Sequence, residues 1–192
     1  MEVKFNLHYF YTMKYEGYYL ILFFVKTKKI EGFEKIIEEI KKITSFQFQI
    51  FDAKALISPI QVEVAFINAL LSIKAKKNIA KNLVLEILLK MAAETQISNA
   101  IKKIGIKNGL EYLGLYLIGS SIREMKKDIK KILEKINGKL IDWNEIPKDS
   151  IGNILKKYEL EEVEVNSISQ DELLKPEEYL ILEKVATSDL RK

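Results

Sequence analysis

Residues Lys77–Gly105 read KNIAKNLVLEILLKMAAETQISNAIKKIG, and the reading of this stretch decides the fold. The pattern predicts a helix, a tight corner and a second helix. In the first half Ile79, Ala80, Leu83, Val84, Leu85, Ile87, Leu88, Leu89 and Met91 cover most directions of a helical wheel. Only Asn82, Glu86 and Lys90 form a narrow polar stripe. A helix apolar nearly all round has no face suited to water, so it is expected at the centre of the core. The second half is amphipathic: Ile97, Ala100, Ile101 and Ile104 share the inward face, while Asn99, Lys102 and Lys103 point outward. Gly105 is expected to stop this helix by turning left-handed. The stretch therefore predicts a packing centre with a basic flank, which is not yet a function.

Working outward, Ser58 opens another predicted helix. Ser58 can cap it, Pro59 suits the first helical position and Gln61 completes a capping box. Val62, Ala65, Phe66, Ala69, Leu70 and Ile73 form its apolar stripe. Before it, Phe46–Phe51 alternates strictly and reads as a strand with one wet face. A helix is expected over 32–43, with Phe33, Ile36, Ile37, Ile40 and Ile43 inward. Residues 2–25 read as strand, turn and strand, with the turn near Glu16-Gly17 and YYLILFFV as a buried strand. After the central pair, LEYLGLYLIG is apolar on both faces and predicts a central strand. A helix over 121–136, ended by Gly138, turns Ile122, Met125, Ile129, Ile132, Leu133 and Ile136 inward. A short helix at 150–157, a strand at 162–166 and a last helix from Pro176 to about Thr187 complete the chain. Strands and helices of unequal length without regular βαβ alternation predict an α+β fold. The expected architecture is a mostly antiparallel four- to five-stranded sheet flanked by helices, in a single domain over residues 1–192.

Composition narrows the function classes. A chain of 192 residues with 48% hydrophobic and 30% charged residues is an ordinary soluble globular composition. With no cysteine, disulfides, thiolate metal sites and a cysteine nucleophile are excluded. The longest apolar run, Tyr18–Val25, is too short to span a bilayer. The start MEVKFN lacks the apolar core of a signal peptide, so a cytoplasmic location with no membrane partner is expected. The net charge of +4 is mild, but its distribution is uneven. Between Ser72 and Lys131 bases outnumber acids thirteen to five, whereas from Glu159 to Lys184 nine acids face only Lys175 and Lys184. One part of the chain suits phosphates and another suits something basic.

Searching for catalytic chemistry yields no convincing site. The single histidine, His8, has no histidine or cysteine partner for a conventional triad or metal cluster, and is read as structural. Gly109 and Gly114 have phosphate-loop spacing but are followed by Leu115-Tyr116 rather than Lys-Ser/Thr, within a strand pattern. The carboxylate pairs Glu38-Glu39, Glu161-Glu162 and Glu177-Glu178 read as charged surface. Neither a cofactor nor a metal is expected.

The basic flank is the best positive signal. Lys74, Lys76, Lys77 and Lys81 cluster where two helices join, and Lys102 and Lys103 lie on the next helix. A helix starting near Lys77 would add amide donors and partial positive charge suited to phosphate. Asn78, Thr95, Gln96 and Asn99 are neutral groups able to bond sugar or base edges. The competing reading is a solvated lysine-rich face. Tyr9, Tyr11, Tyr15, Tyr18 and Tyr19 could stack on bases, but core and sheet packing is the favoured reading of them.

Several motifs together resemble one family. KNIAK at Lys77–Lys81, EILL at Glu86–Leu89 and Q-I-S-x-A-I-x-x-x-G-I at Gln96–Ile106 are similar to the KEOPS accessory subunits related to TPRKB, the PRPK-binding protein, of the archaeal type. Asp52, Leu56-Ile57-Ser58 and E-E-Y-x-I-L-E-x-V-A at Glu177–Ala186 extend the resemblance over nearly the whole chain. The resemblance implies a non-enzymatic α+β subunit. Such proteins bind and stimulate the small kinase/ATPase of KEOPS, and archaeal and fungal forms capture the 3′ CCA end of tRNA for threonylcarbamoyladenosine modification. Carried onto this chain, the tRNA-facing residues are Lys77, Asn78, Lys81, Gln96, Lys102 and Lys103. A recurrent family histidine is replaced by Gln61, and the arginine preceding the family glutamine by Thr95, which cannot pair with phosphate as arginine does. The short helix with Ile151, Ile154 and Leu155, followed by Tyr158, is the candidate kinase-binding face; burial of those residues in the protein's own core is the alternative. Two other functions stay open: a stand-alone nucleic-acid-binding regulator, and an enzyme with paired buried carboxylates.

Overall fold

The structure, a computed structural model, describes residues 4–6, 9–168 and 174–188. Its sheet begins at β1 (Lys4–Asn6), which pairs antiparallel with β2 (Phe10–Tyr15). Glu16 and Gly17 then take positive φ of 49° and 81°, the turn conformation whose twist matches a hairpin. They fold β2 back onto β3 (Tyr18–Lys26), bringing Tyr15 opposite Tyr18. Leu20 to Val25 in β3 are fully buried, which explains why its sequence is apolar without alternation. Between β3 and β4 (Gln47–Asp52) runs α1 (Phe33–Ile43).

After the helices of residues 60–104, the chain returns to the sheet as β5 (Tyr112–Gly119), followed by α5 (Ile122–Lys135) and β6 (Lys139–Ile141). The strand order is β1-β2-β3-β5-β4, β6 pairs with β3, and every pairing is antiparallel. The α+β expectation stands, with six strands in the sheet; the additions are β1 and β6, each only three residues long. On one face Ile21, Phe23 and Val25 of β3 and Leu113, Leu115 and Leu117 of β5 pack with Ile40 of α1 and Met125, Ile129 and Ile132 of α5. Gly114 is required by its cross-strand partner: a Cβ there would lie 2.1 Å from the Phe51 ring. Burial of such side chains contributes about 1.5–3 kcal/mol each before chain entropy is counted.

The chain forms two compact units, the first comprising Met1–Ala53 and Gly105–Ile146 and the second Lys54–Ile104 and Pro147–Lys192. The first holds the whole sheet. The second is helical: α2 (Ile60–Lys74), α3 (Leu83–Ala92), α4 (Ile97–Ile104), α6 (Ile151–Lys157), α7 (Glu162–Asn166) and α8 (Pro176–Ala186). Val62, Ala65, Phe66, Ala69 and Leu70 of α2 are buried, as their spacing predicts. Asn68 of α2 donates to the Val185 and Ala186 carbonyls at 3.1 Å each, closing the end of α8.

Four local expectations are corrected. The helix expected from Lys77 begins at Leu83, because Asn82 is extended and its side chain accepts the Leu85 N–H at 2.9 Å, capping α3 there. The capping box at Ser58 does not form: Ser58 Oγ is buried with no hydrogen-bond partner among the described residues, and the Gln61 side chain reaches elsewhere. The left-handed residue of the α3–α4 pair is Ala93 (φ 52°), while Gly105 forms an isolated antiparallel bridge with Phe51. The strand expected over Glu162–Asn166 is the helix α7. Its Glu161 N–H is held by the Glu164 carboxylate at 2.7 Å, and the helical unit offers no strand among the described residues to pair with an extended segment.

Candidate functional site

The basic cluster lies on the loop that joins α2 to α3. Helix α2 closes at Lys76, whose positive φ of 56° lets the Lys77 N–H return to the Ser72 carbonyl at 2.8 Å. The chain then runs without regular structure to the cap at Asn82. Asn78 donates its side-chain amide to the Ala80 carbonyl at 2.9 Å. Beneath the loop, one carboxylate oxygen of Glu86 (Oε2) accepts the N–H groups of Ile79 and Ala80, at 2.9 and 2.7 Å. The other, Oε1, lies 3.3 Å from Lys90 Nζ, one helical turn further on. Glu86 and Lys90 are almost wholly buried, at 0% and 1% exposure. Two of the three residues of the polar stripe read from the wheel, Glu86 and Lys90, therefore face the interior, where each charge is balanced by the other, while Asn82 is exposed at the cap. A buried charge is costly unless it is paired and hydrogen-bonded; here the two charges are paired and Glu86 Oε2 is hydrogen-bonded twice, while Oε1 meets Lys90 as an ion pair with no hydrogen bond among the described residues.

Above this pair Lys74, Lys76, Lys77, Asn78 and Lys81 are exposed. Gln96 is also exposed; its backbone carbonyl accepts the Asn99 and Ala100 N–H groups at 3.1 Å and so starts α4. The ten residues of α3 separate Gln96 from the loop, a span of about 15 Å at the rise of an α-helix. Lys102 is exposed on α4. Lys103 is not a surface lysine: its Nζ sits 2.9 Å from Glu94 Oε1 and 4.6 Å from the centre of the Tyr158 ring, with the side chain only 12% exposed. Of the expected RNA-facing residues the structure thus brings Lys77, Asn78 and Lys81 together, sets Gln96 and Lys102 apart on the next helix, and engages Lys103 internally.

The expected kinase-binding residues divide differently. Ile151 is 49% exposed, but Ile154, Leu155 and Tyr158 are buried. The Tyr158 hydroxyl accepts from Gln61 Nε2 and donates to the Met91 carbonyl at 3.1 Å. Burial holds its ionisation well above the ordinary tyrosine range, opposed by the Gln61 hydrogen bond. Gln61 itself is fully buried: Nε2 also donates to the Met91 carbonyl at 2.7 Å, and Oε1 accepts the Ile57 N–H at 3.0 Å. Lys184 of α8 donates to the carbonyls of Tyr158 and, at 3.1 Å, of Glu159, satisfying the end of α6. The inner face of α6 is thereby core, and Ile151 alone of the four reaches the surface. Other exposed apolar side chains in the same unit are Leu71 of α2, Ile79 of the loop, Ile101 of α4, Val163 of α7 and Tyr179 of α8; Ile101 corrects the inward face expected for α4, of which Ala100 and Ile104 are the fully buried members. Tyr179 has a sequence signal in its E-E-Y motif, whereas the Glu-Val-Glu-Val alternation around Val163 fits a strand.

Elsewhere, Tyr9 and Tyr18 are exposed, and Tyr11, Tyr15 and Tyr19 are partly buried in the sheet unit. His8 lies outside the described residues. The buried carboxylates among the described residues are Asp52, Glu86 and Glu177; Asp52 lies 3.8 Å from Lys107 and Glu86 is paired as above. Among those residues no group of three or more His, Cys, Asp or Glu side chains could hold a metal ion, and no helix is long and apolar enough to cross a membrane.

Lysines on a fixed loop and apolar side chains standing on helices are groups able to meet a partner. Residues 27–189 match the family described as kinase binding protein CGI-121, and the chain belongs to that family. The match takes in the motifs at Lys77–Lys81, Gln96–Ile106 and Glu177–Ala186. No curated protein matches the chain.

Proposed function

We propose that the protein is a non-catalytic KEOPS subunit that binds and activates the small kinase/ATPase subunit, and that helps recruit tRNA by its 3′ CCA end for threonylcarbamoyladenosine modification. The observation that carries this reading is membership of a kinase-binding family across residues 27–189. Support for the RNA half comes from the loop at Lys77–Lys81, whose lysines are exposed on a backbone fixed from beneath. Neutralising phosphates releases counterions, so RNA binding there is expected to weaken steeply with salt. On the kinase side Ile151, Val163 and Tyr179 supply exposed apolar area of the kind found at interface centres.

Two assays on the full chain test the proposal. The first measures ATPase stimulation and co-elution of the kinase subunit with the wild type and with Ile151→Asp. The second is a gel shift of tRNA with and without its CCA tail, using the wild type and Lys77→Glu/Lys81→Glu. The expected results are stimulation that Ile151→Asp reduces, and CCA-dependent binding that the double charge reversal weakens by at least about tenfold. A wild type that neither binds nor stimulates the kinase subunit overturns the proposal. Salt-dependent RNA binding without any effect on a kinase would favour the stand-alone nucleic-acid-binding regulator, which the same exposed lysines also suit.

A further inference from the structure

We infer that Glu86 and Lys90 are positioning residues: a charge pair sealed inside α3 that holds the loop backbone and so sets where Lys77, Asn78 and Lys81 present their donors to RNA phosphates. This rests on the RNA half of the proposed function. The loop from Lys77 to Lys81 has no regular hydrogen-bond ladder. Left to itself, such a segment samples many conformations. One buried oxygen, Glu86 Oε2, binds two consecutive amides, Ile79 and Ala80, in the middle of that segment. Two anchored amides in a row fix the φ and ψ between them, and with them the directions in which the flanking side chains leave the backbone.

Lys90 completes the device. An unpartnered carboxylate under the loop would cancel part of the positive field the surface lysines create. With Lys90 Nζ 3.3 Å away the pair is neutral, and the field above it is kept. Stability alone does not account for the pair, because well-packed apolar residues of the same volume generally serve a core as well or better. Presentation does account for it: a loop already ordered in its binding conformation loses less freedom when RNA arrives.

The test compares the full-length wild type, Glu86→Leu/Lys90→Met and Glu86→Gln/Lys90→Met. The first double variant keeps core volume and removes both charges together with the acceptor. The second removes the charges but keeps a side-chain oxygen for the two amides, and it serves where the first folds poorly. Hydrogen exchange at the Ile79 and Ala80 amides and binding of a CCA-ended tRNA transcript are read together, with circular dichroism reporting the fold. In the leucine variant the two amides are expected to exchange at least about tenfold faster, and the tRNA dissociation constant to rise about tenfold, the scale of re-ordering a few loop residues. The glutamine variant should recover part of both effects. Unchanged amide exchange in a folded leucine variant overturns the inference, as does faster exchange with undiminished tRNA binding. A wild type that binds no tRNA instead sinks the RNA half of the proposed function, and the amide exchange then still reports whether the pair holds the loop.

Discussion

Gln61 is where sequence grammar and structure make opposite predictions, and Gln61→Glu separates them. At the third position of a capping box glutamine and glutamate serve interchangeably, each accepting a backbone N–H near the helix start. On that reading the substitution is nearly silent. In the structure the side chain is fully buried and donates both amide hydrogens, one to the Met91 carbonyl and one to the Tyr158 hydroxyl, while accepting only the Ile57 N–H. A carboxylate cannot donate. Even if Tyr158 turned its proton toward the new group, the Met91 carbonyl would lose both of its side-chain donors, which costs about 1–3 kcal/mol for a buried acceptor. The buried charge adds more, up to the point where protonation becomes the cheaper course. Protonating a carboxyl of ordinary pKa near 4.3 at pH 7 costs about 3.7 kcal/mol, from about 2.7 units at 1.36 kcal/mol each. The expected loss is therefore about 3–5 kcal/mol at pH 7. Because the folded-state pKa of the introduced carboxyl is raised above its unfolded value, stability relative to wild type is regained as pH falls from 7 toward 4. Urea unfolding followed by far-ultraviolet circular dichroism reads both effects, since the helical unit contributes most of the helix signal. A variant within about 0.5 kcal/mol of wild type at pH 7, with no pH-dependent difference, refutes the buried-network account and restores the capping box.

Two further outcomes follow from the sheet unit. Gly114→Ala forces a methyl group to within 2.1 Å of the buried Phe51 ring across the strand pair; the expected cost is about 2–4 kcal/mol in urea unfolding, partly recovered by Phe51→Leu in the same chain, and no recovery would show that the ring is not the obstacle. Glu39 of α1 has its carboxyl held down to about 2, first by hydrogen bonding to Lys135 of α5 and then to Lys42. A depressed folded-state pKa stabilises above the unfolded value, and that stability is lost as pH falls toward 2. The pair is solvent-screened, so the readout is the carboxyl's own NMR titration: Lys135→Met should move it up toward the ordinary range, and an unmoved titration refutes the link.

The parts of the fold legible in the sequence were those decided by long runs or whole-helix periodicity. β3 and β5 read as buried strands because both their faces are covered or paired, and α2 and α5 kept their predicted inward residues. What was not legible depended on a partner distant in sequence. Gln61 fits a local motif, yet its amide serves Met91 and Tyr158, which are 30 and 97 residues away. Glu86 and Lys90, four apart on an apolar wheel, look like a thin wet stripe; nothing local shows that backbone amides of the preceding loop will descend to meet the carboxylate. Ile79 and Ala80 extend the helical pattern backward, and only Asn82, a strong cap, marks the true start. In α7 the alternation Glu-Val-Glu-Val fits a strand equally well, and the absence of a neighbouring strand among the described residues settles it.

The candidate site was legible as a cluster of charge but not as a division of labour, and the reason lies in Lys103. Its spacing puts it on the polar side of α4 beside Lys102, and no sequence pattern distinguishes the two. Glu94 and the Tyr158 ring do, holding Lys103 as a largely buried cation against an aromatic face. Tyr158 in turn is tied through its hydroxyl to Gln61 and Met91, and through its carbonyl to Lys184. One residue at the end of α6 thus gathers the start of α2, the end of α3, the basic helix α4 and the acidic-flanked α8. A substitution at Tyr158 therefore disturbs α2, α3, α4 and α8 together, whereas one at Ile151 disturbs none of these bonds. The surface position is the informative place to cut a partner away; the buried one reports only whether the unit is folded.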